Sequence, residues 1–127
     1  MTARVWLARA DAALAVARES LTLDANSVVN RAYYAMFYAA RAALIHVGRS
    51  DRADAKSHSG IIAAFGEHLV LSGLIDASHG RSFGRVERDR LLADYLGEGI
   101  GDEAAASAFA RATAFVTAVR ALVAGGH

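Results

Sequence analysis

Apolar residues recur at three- and four-residue steps along almost the whole chain, which is the period of an α-helix. Leu7, Ala10, Leu14, Ala17 and Leu21 fall on one line, while Arg4, Arg9, Arg18 and Glu19 stand off it. That pattern predicts an amphipathic helix from about Ala3 to Leu21. Asp24, Asn26 and Ser27 then offer side-chain caps for a second helix, from about Ser27 to Val47. Its seam is Val29, Tyr33, Met36, Ala40, Ala43 and Val47, flanked by Arg31, Tyr34, Tyr38 and Arg41 with Asn30 beside them. Gly48 supplies the stop.

The polar run from Arg49 to Lys56 reads as a flexible loop. Ser57 or Ser59 caps a third helix carrying Ile61, Ile62, Phe65 and Leu69, which ends at Ser72–Gly73. A fourth follows Asp76 or Ser78 and reaches Leu96, with a densely charged stretch from Arg85 to Arg90. Gly97, Gly99 and Gly101 end it, and Asp102 caps a fifth in which Ala105, Phe109, Ala112, Val116, Val119 and Val123 recur. Short connections predict antiparallel neighbours. The expected fold is therefore all-α, an up-down bundle of about five helices forming a single domain over residues 1–127.

Composition supports helices and narrows the chemistry. Proline is absent and roughly a quarter of the chain is alanine, the best helix former. Cysteine is absent, which excludes a disulfide framework, a thiolate metal site and a cysteine nucleophile. Fourteen Lys+Arg against 13 Asp+Glu give a formal net charge of +1, so no whole-molecule field argues for nucleic acid or a membrane surface. No apolar run approaches the length of about 18 residues that spans a bilayer. The first residues lack an apolar leader, and Asp11 follows soon after. A soluble, cytoplasmic domain with no membrane partner is expected.

Metal chemistry is not expected. None of Glu19, Glu67, Glu87, Glu98 and Glu103 has a histidine three residues on, and no two histidines stand four apart. No cofactor is implied either. Gly97-Glu98-Gly99-Ile100-Gly101 precedes a helix N-terminus, where free amides can meet an anion. Without a preceding strand or a Gly-Lys-Ser/Thr sequence, it reads as a helix stop. Lys56-Ser57-His58-Ser59-Gly60 sets a cation, an imidazole and two hydroxyls at a helix mouth. A plain capping turn fits the same residues, and both readings stand. Arg81, Arg85 and Arg88 lie at i, i+4 and i+7, with Leu92 and Tyr95 continuing their stripe. Arg85–Asp89 and Arg90–Asp94 are i, i+4 pairs, so a solvated, salt-bridged face is the plain alternative.

Topology links these clusters. An antiparallel hairpin turning at Gly73–Asp76 sets His58 level with the low nineties, bringing Lys56 and His58 toward Arg88, Asp94 and Tyr95. Tyr38, Arg41 and His46 should reach the same end, with Asn30 and Arg31 at the opposite end unless a second subunit brings them round. Such a pocket suits a phosphate or a phosphodiester. The expected ligand-binding set is Asn30, Arg31, Tyr34, Lys56, His58, Arg85, Arg88, Asp94 and Tyr95.

The stretch from Asn30 to Leu44 with its Tyr33-Tyr34-Ala35-Met36-Phe37 core, the Lys56–Gly60 turn, and Arg88 to Tyr95 together resemble the HEPN family. The resemblance runs from about Ala3 to Val123 and is closest to small stand-alone members. It implies a helical bundle, often a homodimer, and in many members a metal-independent ribonuclease toxin paired with a minimal nucleotidyltransferase. The paired-toxin motif is Arg, a polar residue, three more, His, any residue, Tyr, and the partner can attach AMP to that tyrosine. Arg88, Asp89 and Tyr95 match it, which makes Tyr95 the residue open to modification, but the histidine position is Ala93. Alanine cannot move a proton. The favoured expectation is therefore a nucleotide- or RNA-binding protein working with a nucleotidyltransferase. The alternatives are a ribonuclease toxin using Arg88 and His58 as catalytic residues, and a structural adaptor with no nucleic-acid role.

Overall fold

Side-chain caps open most of the helices. In the computed structural model, which describes residues 1–96 and 99–125, Thr2 accepts the Val5 amide and opens α1 (Ala3–Ser20). Asp24 takes both the amide and the hydroxyl of Ser27 and opens α2 (Ala25–His46). Ser57 accepts the Gly60 amide at 3.0 Å and opens α4 (His58–Phe65). Asp76 accepts the Ser78 amide at 2.9 Å just before α5 (Ala77–Leu96), and Gly101 precedes α6 (Asp102–Ala124). Gly97 and Glu98, the first two residues of the glycine-rich segment, lie outside the described residues, as do Gly126 and His127.

α2 is the axis of the bundle, packing against α1, α6, α5 and α4. Its expected seam is buried from Val29 to Ala43, with Val47 partly covered. Ala32, Ala35, Ala39, Ala40, Ala42 and Ala43 have no exposed surface at all. Methyl-sized side chains let neighbouring helix axes approach to the short end of the usual ~8–10 Å range. Elsewhere the core is aromatic. Phe115 of α6 lies 4.8 Å from Phe65 of α4 and 5.2 Å from Phe83 of α5, ring centre to ring centre. That knot ties three helices together.

Three differences from the sequence expectation have physical causes. α1 buries Ala13 and Ser20 along with Leu7, Ala10 and Ala17, while Leu14 is only partly covered and Leu21 is exposed, so the buried line is rotated from the expected one toward smaller residues where α1 packs on alanine-lined α2. The segment after Gly48 is not wholly loop: Ser50–Ala53 forms one helical turn, α3, anchored by Ala53, which is 1% exposed. The third expected helix is α4 followed by a π-helical turn, Gly66–Val70. Leu69 in that turn is buried while Leu71, just beyond it, is 84% exposed.

α6 is long and apolar enough, by length and composition, to cross a membrane, although the sequence reading found no such run. Here Ala105, Ala108, Ala112, Val116 and Val119 are buried within the bundle and the helix packs on α2.

Gly48 and Gly73 hold φ of +81° and +82°, and a Cβ at either would meet nothing within 4 Å. Substitution there tests the backbone alone. Gly48→Ala and Gly73→Ala should each lower stability by about 1–2 kcal/mol, the left-handed penalty of an L-residue. Urea unfolding should show a lower midpoint with an unchanged slope.

Candidate functional site: a His–Tyr–Glu–Arg cluster at three helices

The Ser57 cap fixes the start of α4 and so places its first residue, His58, against the middle of α2. His58 Nδ1 shares a 2.9 Å hydrogen bond with the Tyr33 hydroxyl. The imidazole stacks on Tyr33 (5.5 Å, 22°), lies 4.6 Å from the Phe37 ring, and meets Tyr34 edge-on at 5.8 Å. Three rings thus orient one imidazole. With Nδ1 engaged, Nε2 is the nitrogen left for a ligand.

α5 crosses α2 at the same level. Phe83 and Arg90 both contact the Tyr33 ring, the Arg90 guanidinium at 4.6 Å from its centre. Arg90 also pairs with Glu87 at 3.4 Å and Asp94 at 3.3 Å. Arg41, on α2, lies 4.8 Å from the Phe37 ring and 4.9 Å from Trp6 of α1. The Nε atoms of Arg41 and Arg90 are buried and, among the described residues, have no hydrogen-bond partner. Ring faces and carboxylates hold these cations where solvent does not.

Burial pushes the His58 imidazole below its ordinary value of 6.5, and the Arg90 and Arg41 charges add to that, with Glu87 opposing. Burial raises the Tyr33 phenol well above its ordinary range, and the Glu87 carboxylate raises it further. At neutral pH the pair is thus a neutral imidazole and a protonated phenol.

The linkage sign follows. Because the folded protein resists protonating His58, the unfolded chain takes up that proton first as pH falls. Stability from this group is full above about pH 6.5 and declines as pH drops through and below it. The urea midpoint should fall between pH 7.5 and 5.5, and His58→Gln should flatten that fall.

The residues expected from sequence divide into two groups. Asn30, Arg31 and Asp94 line one groove with Val16 and Ser20, so Asn30 and Arg31 do not lie at the far end as the topology argument expected. Eight-residue α4 enters at the middle of the 22-residue α2, not at its C-terminal end, and α5 carries Asp94 toward the start of α2. Arg31 Nε donates to Asn30 Oδ1 at 3.0 Å, and its guanidinium lies 5.0 Å from the Tyr34 ring, beside His58.

Arg85, Arg88 and Tyr95 lie elsewhere. Arg85 pairs with Asp89 at 3.5 Å and lines a groove with Gly101, Glu103 and Ser107 near the start of α6. Arg88 shares an outward, apolar patch with Leu91, Leu92 and Tyr95, its guanidinium lying back over Gly84. Tyr95 is 80% exposed, and Lys56 is exposed in the turn before α4. The structure therefore does not bring Arg88 to His58; it brings Arg90. Residues two positions apart on a helix are separated by roughly 200°, so Arg88 and Arg90 face opposite ways.

Sequence reasoning missed Tyr33, Glu87 and Arg90 as site residues, assigning Tyr33 to the core and Arg90 to an ion pair. A signal existed. Glu87, Arg90 and Asp94 follow Phe83 at helical spacing, on the face the buried phenylalanine marks. Among the described residues no group of three or more His, Cys, Asp or Glu is placed to hold a metal ion.

Fold and cluster together define a small all-α domain with a polar–aromatic site shared by three helices. The HEPN domain model matches residues 3–122, and the chain belongs to the HEPN family. It is 46% identical over 69 residues to the UPF0332 protein glr0978 of Gloeobacter violaceus, covering 54% of this chain and 52% of that one. A UPF0332 protein of Thermotoga maritima is 36% identical over 85 residues, 67% of this chain and 58% of the relative. "Putative toxin MJ0605" of Methanocaldococcus jannaschii is 34% identical over 95 residues, 75% and 68% respectively. The matches span about half the length of the first two relatives.

Proposed function

We propose that this HEPN domain engages RNA at the His58 cluster and cleaves it without a metal ion, in a toxin-type role like that named for the Methanocaldococcus relative. The observation that carries the reading is the His58 imidazole held by Tyr33 beside Arg90, where burial lowers its pKa and so favours the neutral ring. With Nδ1–H donating to the Tyr33 oxygen, Nε2 takes the proton of a ribose 2′-hydroxyl. The 2′-oxygen bonds to the adjacent phosphorus and the P–O5′ bond breaks. The products are a 2′,3′-cyclic phosphate and a 5′-hydroxyl end, the leaving oxygen taking its proton from water. Arg90 and Arg41 meet the charge that develops on the phosphoryl oxygens. In this scheme His58 replaces the imidazole that Ala93 lacks, and Arg90 takes the place expected of Arg88.

A second reading is binding of nucleotide or RNA without cleavage. It is favoured by Ala93 and by the pairing of Arg90 with Glu87 and Asp94, which lowers the positive charge available to a transition state. Under either reading we place the domain in the cytoplasm as a homodimer, partnered by a minimal nucleotidyltransferase. The exposure of Tyr95 supports its modification by that partner. A concentration-independent monomer in sedimentation would remove the dimer.

The test is cleavage and binding of a labelled RNA by EDTA-treated protein. Cleavage with cyclic-phosphate ends supports the ribonuclease. Salt-sensitive binding without cleavage supports the second reading. Neither would leave an adaptor whose charged residues serve only the fold.

A further inference from the structure

On the face formed by α1 and α2, three arginines are held by aromatic rings. Arg52, Arg85, Arg90 and Arg120 pair with carboxylates. Arg9, Arg31 and Arg41 have no carboxylate partner among the described residues; each lies on an aromatic ring instead. Arg9 sits 5.2 Å from the centre of Trp6, Arg41 at 4.9 Å from the same ring, and Arg31 at 5.0 Å from Tyr34. The rings form a row: Trp6 stacks on Tyr38 at 5.6 Å and 26°, and Tyr38 lies 5.9 Å from Tyr34.

Two adjoining grooves lie beside that row, meeting it at Tyr38. One groove is bounded by Arg9, Ala12, Val16, Arg31 and Tyr38. The groove of Asn30, Arg31 and Asp94 adjoins it, sharing Val16 and Arg31. Among the described residues lining these grooves the one carboxylate is Asp94, and it pairs with Arg90. Asp11, the nearby acid of α1, pairs with Arg120 of α6. A chain with a net charge of only +1 therefore presents a local strip of unpaired guanidiniums interleaved with aromatic rings.

We propose that this α1–α2 strip is a binding track for single-stranded RNA, leading from Arg9 and Trp6 past Arg31 to the His58 cluster. Guanidiniums follow a phosphate backbone, and aromatic rings between them offer faces and edges to unpaired bases. An acidic peptide would use the cations but not the rings. The proposal rests on the reading that the domain engages RNA, and it adds residues Arg9, Trp6 and Tyr38, which lie outside the cleavage cluster.

Trp6 is the single tryptophan of the chain, so its emission reports on the track directly. The probe is a short fluorescein-labelled oligouridylate with 2′-O-methyl riboses, which binds but cannot be cleaved by 2′-oxygen attack. Anisotropy measures affinity across a salt series, and an unlabelled copy is titrated against Trp6 emission. Each phosphate contact to a single strand contributes about 0.7 to the log–log salt slope. Arg9→Gln and Arg31→Gln should each reduce the slope by about 0.7 and weaken binding about fivefold at 0.1 M salt. Trp6 emission should change with the same midpoint. Arg18→Gln removes an equal charge from α1, where Arg18 lies over Phe109 instead, and should alter neither reading.

Equal weakening by Arg18→Gln would make the binding diffuse electrostatics and overturn the track. So would polyglutamate displacing the probe with the same dependence on Arg9. If Arg9→Gln has no effect while unmodified RNA is still cleaved in a His58-dependent manner, the track falls and the ribonuclease stands. If no form binds or cleaves RNA, both fall.

Discussion

His58→Ala should lower metal-independent RNA cleavage by about 10²–10⁴-fold, the usual contribution of a positioned acid–base group. The geometry makes the loss specific. Tyr33, Tyr34 and Phe37 hold the ring on three sides, so alanine removes the proton acceptor without removing what oriented it. Binding of the uncleavable oligonucleotide should survive. Tyr33→Phe keeps the aromatic face and deletes the hydroxyl that engages Nδ1. It should cost less rate than His58→Ala and shift the pH profile, because the imidazole loses its hydrogen-bond partner. Arg90→Lys keeps the charge but loses the planar fork that pairs with Glu87 and Asp94, and it too should slow cleavage. Arg88→Ala, on the outward face, should leave the rate near wild type. The opposite pattern, Arg88 essential and Arg90 neutral, would move the site to the other side of α5.

Phe115→Ala should destabilise the domain by about 3–5 kcal/mol, the range for deleting a buried aromatic side chain. Phe115 is fully buried, and its ring fills the space between Phe65 and Phe83. The neighbours come from α4 and α5, so collapse onto the vacancy requires two helices to move together. Domains hold only ~5–15 kcal/mol in total, so this variant should stand close to unfolding at room temperature. Phe115→Leu fills much of the same volume and should cost distinctly less. Urea unfolding of the three proteins measures the order. A Phe115→Ala loss near 1 kcal/mol would show that the three-ring knot is dispensable.

Much of the bundle was legible because α2 announces itself. Its seam and its tyrosine–arginine flank follow helical spacing, and Asp24, Ser57 and Gly48 act as the punctuation their chemistry suggests. α1 was harder to phase. Its alanines occur on several sides, so the leucines drew the eye, whereas close packing on α2 selects the smaller residues Ala13 and Ser20. The π turn left no mark in the sequence, since Gly66 carries no side chain to set a phase. The site failed at one step. Five of the six residues from Arg85 to Arg90 are charged, so the stretch has little apolar period of its own. Its orientation is set by Phe83 and Val86, and that phase points Arg90 inward and Arg88 outward. His58 was recognised, but its companion depended on that rotation. The junction with α1 joins segments distant along the chain, so neither Trp6 nor Arg9 carried a local signal for the strip they form with Tyr38.

The solvent-free alanines of α2 also shape how the domain tolerates change. A methyl group leaves almost nothing to delete, so the centre of this bundle is nearly immune to truncation and vulnerable to growth. Ala39 and Ala40 have no solvent-exposed surface, so a larger side chain there must be taken up by the packed helices around it. Sequence drift is thus pushed outward, to the solvent sides of α1, α5 and α6, where new surface chemistry can be tried while the axis stays fixed. A lineage built on such a spine can change its partners more easily than its shape.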